Sequence, residues 1–298
     1  MPLCYHRRMI ETITQRLFAA VPQDTLYHYT TMSGLLGIVG GRELRASDIR
    51  YMNDSAELRH TLDLLSSHVT QRIIAGVDNP TLLKQLLEWL SHRVVSGSLL
   101  MGASFRANGN LLSQWRGYSV HGKGVSLGFD PAHILDCAAR QQFQVGKCLY
   151  DPAAQAALVE QIIDAVEQLA SQQAPDHAAG EAPSWQHVFE QIEGDLLRIA
   201  AVLKHPAFAE EQEWRLVSPL ITRCHEHPVR FREGHSMLVP YYAFELCGDA
   251  GLMQLEHVYL GPTNNIDLSM NSLQLYLQSC GVTPAQGISY CQIPFRQR

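Results

Sequence analysis

The stretch from Leu26 to Leu36, reading LYHYTTMSGLL, places a short strand directly before a helix. His28 and Thr30 alternate with two tyrosines, and this period of two is typical of a half-buried strand. Thr31 or Ser33 is suited to cap the helix that follows. The pattern therefore predicts that His28 lies on a strand at a strand-to-helix junction, where free backbone N–H groups favour nucleotide ligands.

Two interpretations of His28 follow from this position. In the first, its imidazole donates a hydrogen bond to a ligand hydroxyl, and the strand fixes the geometry of the ring. In the second, it is a core histidine whose hydrogen bonds are satisfied between neighbouring tyrosines. The spacing of the residues fits both interpretations, and His28 and Thr30 are candidate ligand contacts only under the first.

The remaining pattern mixes helices and strands without strict alternation, which predicts an α+β fold. An N-terminal helix is expected at about 5–20, and residues 152–201 are mostly helical, with a polar loop at 171–184. We interpret 152–201 as a helical insertion, because it has few large apolar residues for a core of its own. From Glu213 onward strands dominate. The 298 residues, 46% of them hydrophobic, are expected to form one domain over 1–298.

An acidic segment, FAEEQEWRLV, is the second candidate for chemistry. If the chain is extended from Glu211 to Val217, then Glu211, Glu213 and Arg215 share one face of a strand. Two carboxylates on one face repel each other, which favours protonation of one of them. A fixed carboxylate there would stabilise a developing cation or deprotonate a nucleophile. The alternative is a solvated face on which Arg215 neutralises its neighbours.

Aromatic and basic residues supply the other candidates. Tyr51 precedes a predicted helix and is suited to stack on a planar ring, while Asn53 beside it fits a turn or a helix cap. The sequence QWRGY contains Trp115 and Arg116 next to a glycine, in a predicted loop. Those two side chains would either line a flat ligand site or anchor the loop, and Tyr118 is a second candidate for stacking.

Composition excludes several classes of protein. The net charge of −6 argues against a general electrostatic nucleic-acid binder. The 7 cysteines are scattered without CxxC spacing, and no apolar run is long enough for a membrane span. We expect a cytoplasmic protein without a membrane partner. We expect no bound metal, since no metal-binding spacing stands out.

These segments together resemble a bacterial family known as domain of unknown function 2971. The similar stretches are LYHYT with GLLGI, then ASDIRYMNDSAE, SQWRGY with GKGVSLGF, and FAEEQEWRLV with the late YLGP. They follow one another from about residue 25 to the C-terminus. The resemblance covers most of the chain, but it implies no function.

A more distant resemblance does imply a function. A strand with histidine, then a helix and a second strand with an aromatic, and finally a glutamate-led strand are similar to the ADP-ribosyltransferase fold, in its histidine–tyrosine–glutamate branch with DarT-like toxins. That resemblance implies a split β-sheet core flanked by helices. It implies that His28 binds a ribose of NAD, that Tyr51 stacks on nicotinamide and that Glu213 supports an oxocarbenium-like transition state. Glu211 would position the acceptor.

The function implied is NAD-dependent ADP-ribosyl transfer. The nicotinamide–ribose bond of NAD would be cleaved, and ADP-ribose would pass to a macromolecular acceptor, either nucleic acid or protein, or to water. Residues expected to bind the cofactor are His28, Thr30, Tyr51, Asn53, Trp115 and Arg116. The alternative is a non-catalytic nucleotide- or nucleic-acid-binding module of a regulatory or defence system on the same scaffold.

Overall fold

The computed structural model describes residues 3–52, 56–118, 124–173, 175–176, 183–234, 236–248, 251 and 253–292. The α-helices are α1 (Leu3–Leu17), α2 (Met32–Gly41), α3 (Ala56–Ala75), α4 (Pro80–Ser96), α5 (Leu112–Tyr118), α6 (Pro131–Arg140), α7 (Pro152–Ala170), α8 (Gln186–Glu190), α9 (Glu193–Val202) and α10 (Ile266–Ser279). The strands are β1 (Leu26–Thr31), β2 (Glu43–Asp48), β3 (Met101–Arg106), β4 (Gly124–Phe129), β5 (Gln144–Lys147), β6 (Glu213–Val217), β7 (Val229–Glu233), β8 (Leu238–Glu245), β9 (Leu255–Leu260) and β10 (Ile288–Tyr290). The α+β class predicted from the sequence is confirmed.

The strands form one mixed, mostly antiparallel sheet. Its main path runs β10-β9-β4-β1-β3-β2-β8-β7, and β6 pairs with β3 and β5. Only the β9–β10 pairing is parallel among the described strands. Because β3 lies near the middle and has partners on both edges, it is the element around which the rest of the sheet is arranged.

One edge of β3 is shared by two strands. Arg106, at the C-terminal end of β3, pairs with Tyr27 of β1, whereas Gly102 and Met101 at the other end pair with β2. The opposite edge of β3 pairs with β6 from Gly102 to Arg106. The strands β1 and β2 therefore part from each other along β3, and helix α2, which connects them, crosses this gap.

The junction between β1 and α2 forms as the local pattern predicts. Thr31 is the N-cap of α2, and its hydroxyl accepts a hydrogen bond from the Gly34 N–H at 3.1 Å. The helix passes so close to β1 that a Cβ at Gly34 would lie 1.9 Å from the Thr30 hydroxyl oxygen. Glycine at position 34 is therefore required for this close approach of helix and strand.

The helices from 152 to 202 do not stand alone. Their apolar side chains form one cluster with residues of α1 and α4, which come from distant parts of the chain. Most of the buried side chains in this cluster come from the segment itself, and α1 and α4 add Ile10, Ile13, Leu82 and Leu86. Residues of α3, α4, α7, α9 and β6 form a second cluster, which joins this helical layer to the sheet.

Two local predictions were wrong. The predicted QWRGY loop is part of helix α5, because Trp115 packs into the interior and the segment folds around it. The strand expected from Glu211 begins at Glu213, since Glu211 ends a 3₁₀ turn and Gln212 has a positive φ of 42°. Among the described helices, none is both long enough and apolar enough to span a bilayer.

Candidate functional site

A cleft lies where β1 and β2 part, with α2 on one side and β3 as its floor. It encloses about 310 Å³, which is within the range of small-ligand sites. Polar and charged side chains dominate the residues that line it, notably His28, Thr30, Arg45, Ser104, Arg106 and Arg232. A cleft with this lining is suited to a polar, anionic ligand.

His28 stands at the point where the two strands separate. Its Nδ1 lies 3.0 Å from the carbonyl oxygen of Ser104 on β3, and because a carbonyl only accepts, Nδ1 carries the proton. Burial lowers the pKa of His28 to about 4; the hydrogen bond to Ser104 opposes this shift and the charge of Arg106 adds to it. The ring is therefore neutral at pH 7, and its Nε2 is an acceptor rather than the donor expected from the sequence.

Glu213 lies behind the floor of the cleft and is fully buried. One of its oxygens accepts hydrogen bonds from the Ser104 hydroxyl at 2.5 Å and from Arg215 Nε at 2.8 Å. The other oxygen is 2.5 Å from Lys204 Nζ and 3.1 Å from Arg106 Nη1. Ser104 thus connects His28 to Glu213, through its carbonyl on one side and its hydroxyl on the other.

The carboxylate pair predicted from the sequence exists, but its electrostatics are the reverse of the expectation. Glu211 does not share the strand with Glu213, yet Lys204 and Arg106 each contact both carboxylates. Burial by itself raises the pKa of Glu213, but Arg215, Arg106 and Lys204 outweigh it and hold that pKa well below its usual range. The prediction that repulsion protonates one glutamate is therefore wrong for Glu213.

We call Arg106, Lys204, Glu211, Glu213 and Arg215 the ion cluster. Three cations against two carboxylates leave it with one net positive charge. Arg106 comes from β3 and is far from the acidic segment in sequence, whereas Lys204 follows α9 and lies seven residues before Glu211. Sequence reasoning missed both residues, because no local spacing relates them to Glu213.

The other stacking and binding candidates do not all reach the cleft. Thr30 lines it, but Tyr51 lies in a 3₁₀ turn after β2, is 37% exposed and is not among the lining residues. The neighbouring Met52 lines the cleft instead. Asn53 lies outside the described residues. The structure therefore brings His28 close to Glu213 but does not bring Tyr51 to them.

Trp115 and Arg116 also lie away from the cleft. Trp115 is fully buried, packs edge-on against Tyr29 at 4.9 Å between ring centroids, and donates to Asn110 Oδ1 at 2.8 Å. These contacts correspond to the anchoring role, and the predicted contact of Trp115 with a cofactor is not available in this arrangement. Arg116 is exposed on α5 and does not line the cleft. The side chain of Tyr118 is outside the described part.

Protein metal sites are usually built from His, Cys, Asp and Glu side chains. In the residues that the structure describes, no group of three or more His, Cys, Asp or Glu side chains is arranged to hold an ion. The polar groups that line the cleft are mostly hydroxyl, imidazole and guanidinium groups, together with the carboxylate of Glu43 and the amide of Gln114. Such groups bind sugars and anions by hydrogen bonds.

A family model matches part of the chain. Residues 114–216 match the model of a family described as "Protein of unknown function (DUF2971)". The match runs from α5 to β6, so it includes QWRGY and the acidic segment but not His28 or Tyr51. No curated protein matches the chain.

Proposed function

We propose that the cleft binds NAD and that the protein is an ADP-ribosyltransferase-like enzyme. It would cleave the nicotinamide–ribose bond and transfer ADP-ribose to a macromolecule or to water. The observation that carries the proposal is His28, a neutral imidazole whose Nδ1 is fixed on β3 at the gap between β1 and β2. The gap between β1 and β2 supports the proposal, because the resemblance to ADP-ribosyltransferases implies a split sheet.

The chemistry of His28 suits a sugar more than a phosphate. A neutral Nε2 accepts a hydrogen bond from a hydroxyl group, and ribose supplies such groups, whereas a fully ionised phosphate does not. Because the other ring nitrogen is already bonded to Ser104, the ring orientation is set before a ligand arrives. Such preorganisation lowers the entropy cost of binding.

Glu213 contacts residues that line the cleft, although it does not line the cleft itself. Its carboxylate fixes Ser104 and Arg106, and both of these line the cleft. Direct contact with a ribose would require Glu213 to exchange one of its present hydrogen bonds for the ligand. For its negative charge to favour the oxocarbenium-like transition state, Glu213 must also give up contacts with the cations around it, because the ion cluster as a whole has one net positive charge; Glu211 and Arg106 would position the groups around it.

The test is release of nicotinamide from NAD by the purified protein. We expect turnover in the wild type and a decrease of about 10- to 100-fold in His28→Ala, because one hydrogen bond to the ribose is lost. The control is His92→Ala, since His92 is exposed on α4 and bonds only to Ser96 and its own helix. Unchanged turnover in a folded Glu213→Gln variant would remove Glu213 from the catalytic step.

A non-catalytic nucleotide-binding module is the second candidate, and one observation favours it. Both oxygens of Glu213 are already hydrogen-bonded, and the side chain has no exposed surface. A site of this kind would bind NAD without cleaving it. Calorimetric binding of NAD with no release of nicotinamide would favour this candidate over the enzyme.

A further inference from the structure

The wall of the cleft formed by β2 and β7 carries two arginines on one face of the sheet. Arg45 of β2 pairs with Ala243 of β8, and Arg232 of β7 pairs with Val239 of the same strand. Positions 239 and 243 are separated by an even number of residues, so Arg45 and Arg232 project from the same face. Both side chains line the cleft, with Ser47 also on this wall.

The charges of these two arginines are not neutralised by carboxylates. Among the described residues, neither Arg45 nor Arg232 has an acidic side chain within ion-pair distance. Arg45 instead lies over the ring of Tyr241, 5.3 Å from its centroid, and Arg232 is 3.4 Å from the Ser47 hydroxyl. An aromatic ring and a hydroxyl hold a guanidinium in place without removing its charge.

A neighbouring arginine shows the contrast. Arg230 lies on β7 two residues before Arg232, on the same face, and both of its hydrogen bonds to Glu43 are close to 3 Å. Arg230 is not among the residues that line the cleft. Among the described residues, Arg45 and Arg232 thus face the cleft without a carboxylate partner, whereas Glu43, which also lines the cleft, is already paired with Arg230.

We infer that Arg45 and Arg232 form a subsite for the diphosphate of the bound nucleotide, an inference that rests on the proposed function. The planar guanidinium fork matches two oxygens of a phosphate group, and the Ser47 hydroxyl is a further donor on the same wall. His28, at the other part of the cleft, suits a hydroxyl. The nucleotide would therefore bind in one orientation, with its nicotinamide-linked ribose at His28 and its diphosphate at β2 and β7.

The experiment measures binding of NAD, ADP-ribose and inorganic pyrophosphate by calorimetry, without added metal. The variants are Arg45→Gln, Arg232→Gln and the two combined. We expect the double variant to bind ADP-ribose and pyrophosphate about 10- to 100-fold more weakly, since two charge-assisted contacts are lost. Arg223→Gln is the matched control, because Arg223 is 66% exposed, pairs with Glu226 and does not line the cleft; its binding is expected to stay within about twofold of the wild type. Circular dichroism confirms that each variant is folded.

The outcomes separate this inference from the proposed function. If pyrophosphate binds and requires both arginines but NAD does not bind, the subsite stands and the proposed function fails. If NAD and ADP-ribose bind equally well to wild type and double variant, the subsite is overturned while the proposed function stands. If Arg223→Gln reduced the affinity for pyrophosphate as much as the double variant does, the subsite would also be overturned, because the effect would then be one of general surface charge.

Discussion

Replacing Glu213 with glutamine tests how the ion cluster contributes to the fold. The glutamine has nearly the same shape, but its NH₂ group would face donors in either orientation, because both glutamate oxygens now accept hydrogen bonds. The ion cluster would then contain three cations and a single carboxylate, that of Glu211. Removing one partner from a buried ion pair costs about 3–5 kcal/mol, and we expect this decrease in the free energy of unfolding. For a chain of this size it corresponds to a Tm lower by roughly 6–20 °C.

The assay is urea unfolding followed by tryptophan fluorescence, together with thermal melting. Glu210→Gln is the control, because Glu210 is exposed and three residues away; its free energy of unfolding should stay within about 0.5 kcal/mol of the wild type. If Glu213→Gln unfolds within the same margin, the reasoning about a tightly bonded, buried carboxylate is refuted. A stable variant that loses nicotinamide release would instead identify Glu213 as a catalytic residue.

The same variant has a pH signature. The pKa of Glu213 in the folded protein lies below its ordinary value, so its stabilising contribution is complete above the pKa of an unfolded glutamate, about 4.3. The contribution is lost as the pH falls from there through the folded pKa. We therefore expect the difference in stability between wild type and Glu213→Gln to be constant above about pH 5 and to shrink below it. An equal difference at pH 7 and pH 3.5 would contradict this.

Three further predictions concern residues in and near the cleft. Because the pKa of His28 is lowered to about 4, the unfolded state binds more protons between about pH 4 and 6.5, and the wild type should lose more stability from pH 7.5 to pH 5 than His28→Gln does, as guanidinium unfolding would show. Trp115→Ala should reduce the free energy of unfolding by about 3–5 kcal/mol, while Arg116→Ala, which is exposed, should change it by less than about 0.5 kcal/mol; an equal, small effect on thermal melting would refute the anchoring role. Gly34→Ala should destabilise the protein by about 1–3 kcal/mol through its clash with Thr30, and a Thr30→Ala background should reduce that loss in the same unfolding assay, since the clashing hydroxyl is then absent.

The parts of the fold that sequence predicts well are those determined by neighbouring residues. The β1–α2 junction depends on a period of two and on a cap at Thr31, and both act within a few residues. Helix α5 was missed because its formation depends on Trp115 packing under β1, which no local pattern records. The start of β6 was misplaced by the positive φ of Gln212, for which glutamine gives no signal.

The candidate site divides in the same way. His28 was identified because its strand and the following helix have a clear local pattern. The protonation of Glu213 was mispredicted because Arg215, its neighbour on β6, is joined by Arg106 of β3 and Lys204 just after α9, and together these charges lower the pKa of Glu213. Arg45 and Arg232 were likewise passed over as ligand contacts, since only the order of strands β2, β8 and β7 brings them to one wall.

Strand β7, which carries Arg232 into the lining of the cleft, lies at the end of the sheet. Strand β7 is hydrogen-bonded along only one edge, to β8, whereas β3 is bonded along both of its edges. Amide protons of β7 should therefore exchange with solvent much faster than those of β3. A ligand that reaches Arg232 would slow exchange in β7 while leaving β3 nearly unchanged. We therefore expect any change in the width of the cleft on binding to occur at β7, at the edge of the sheet, rather than in the ion cluster.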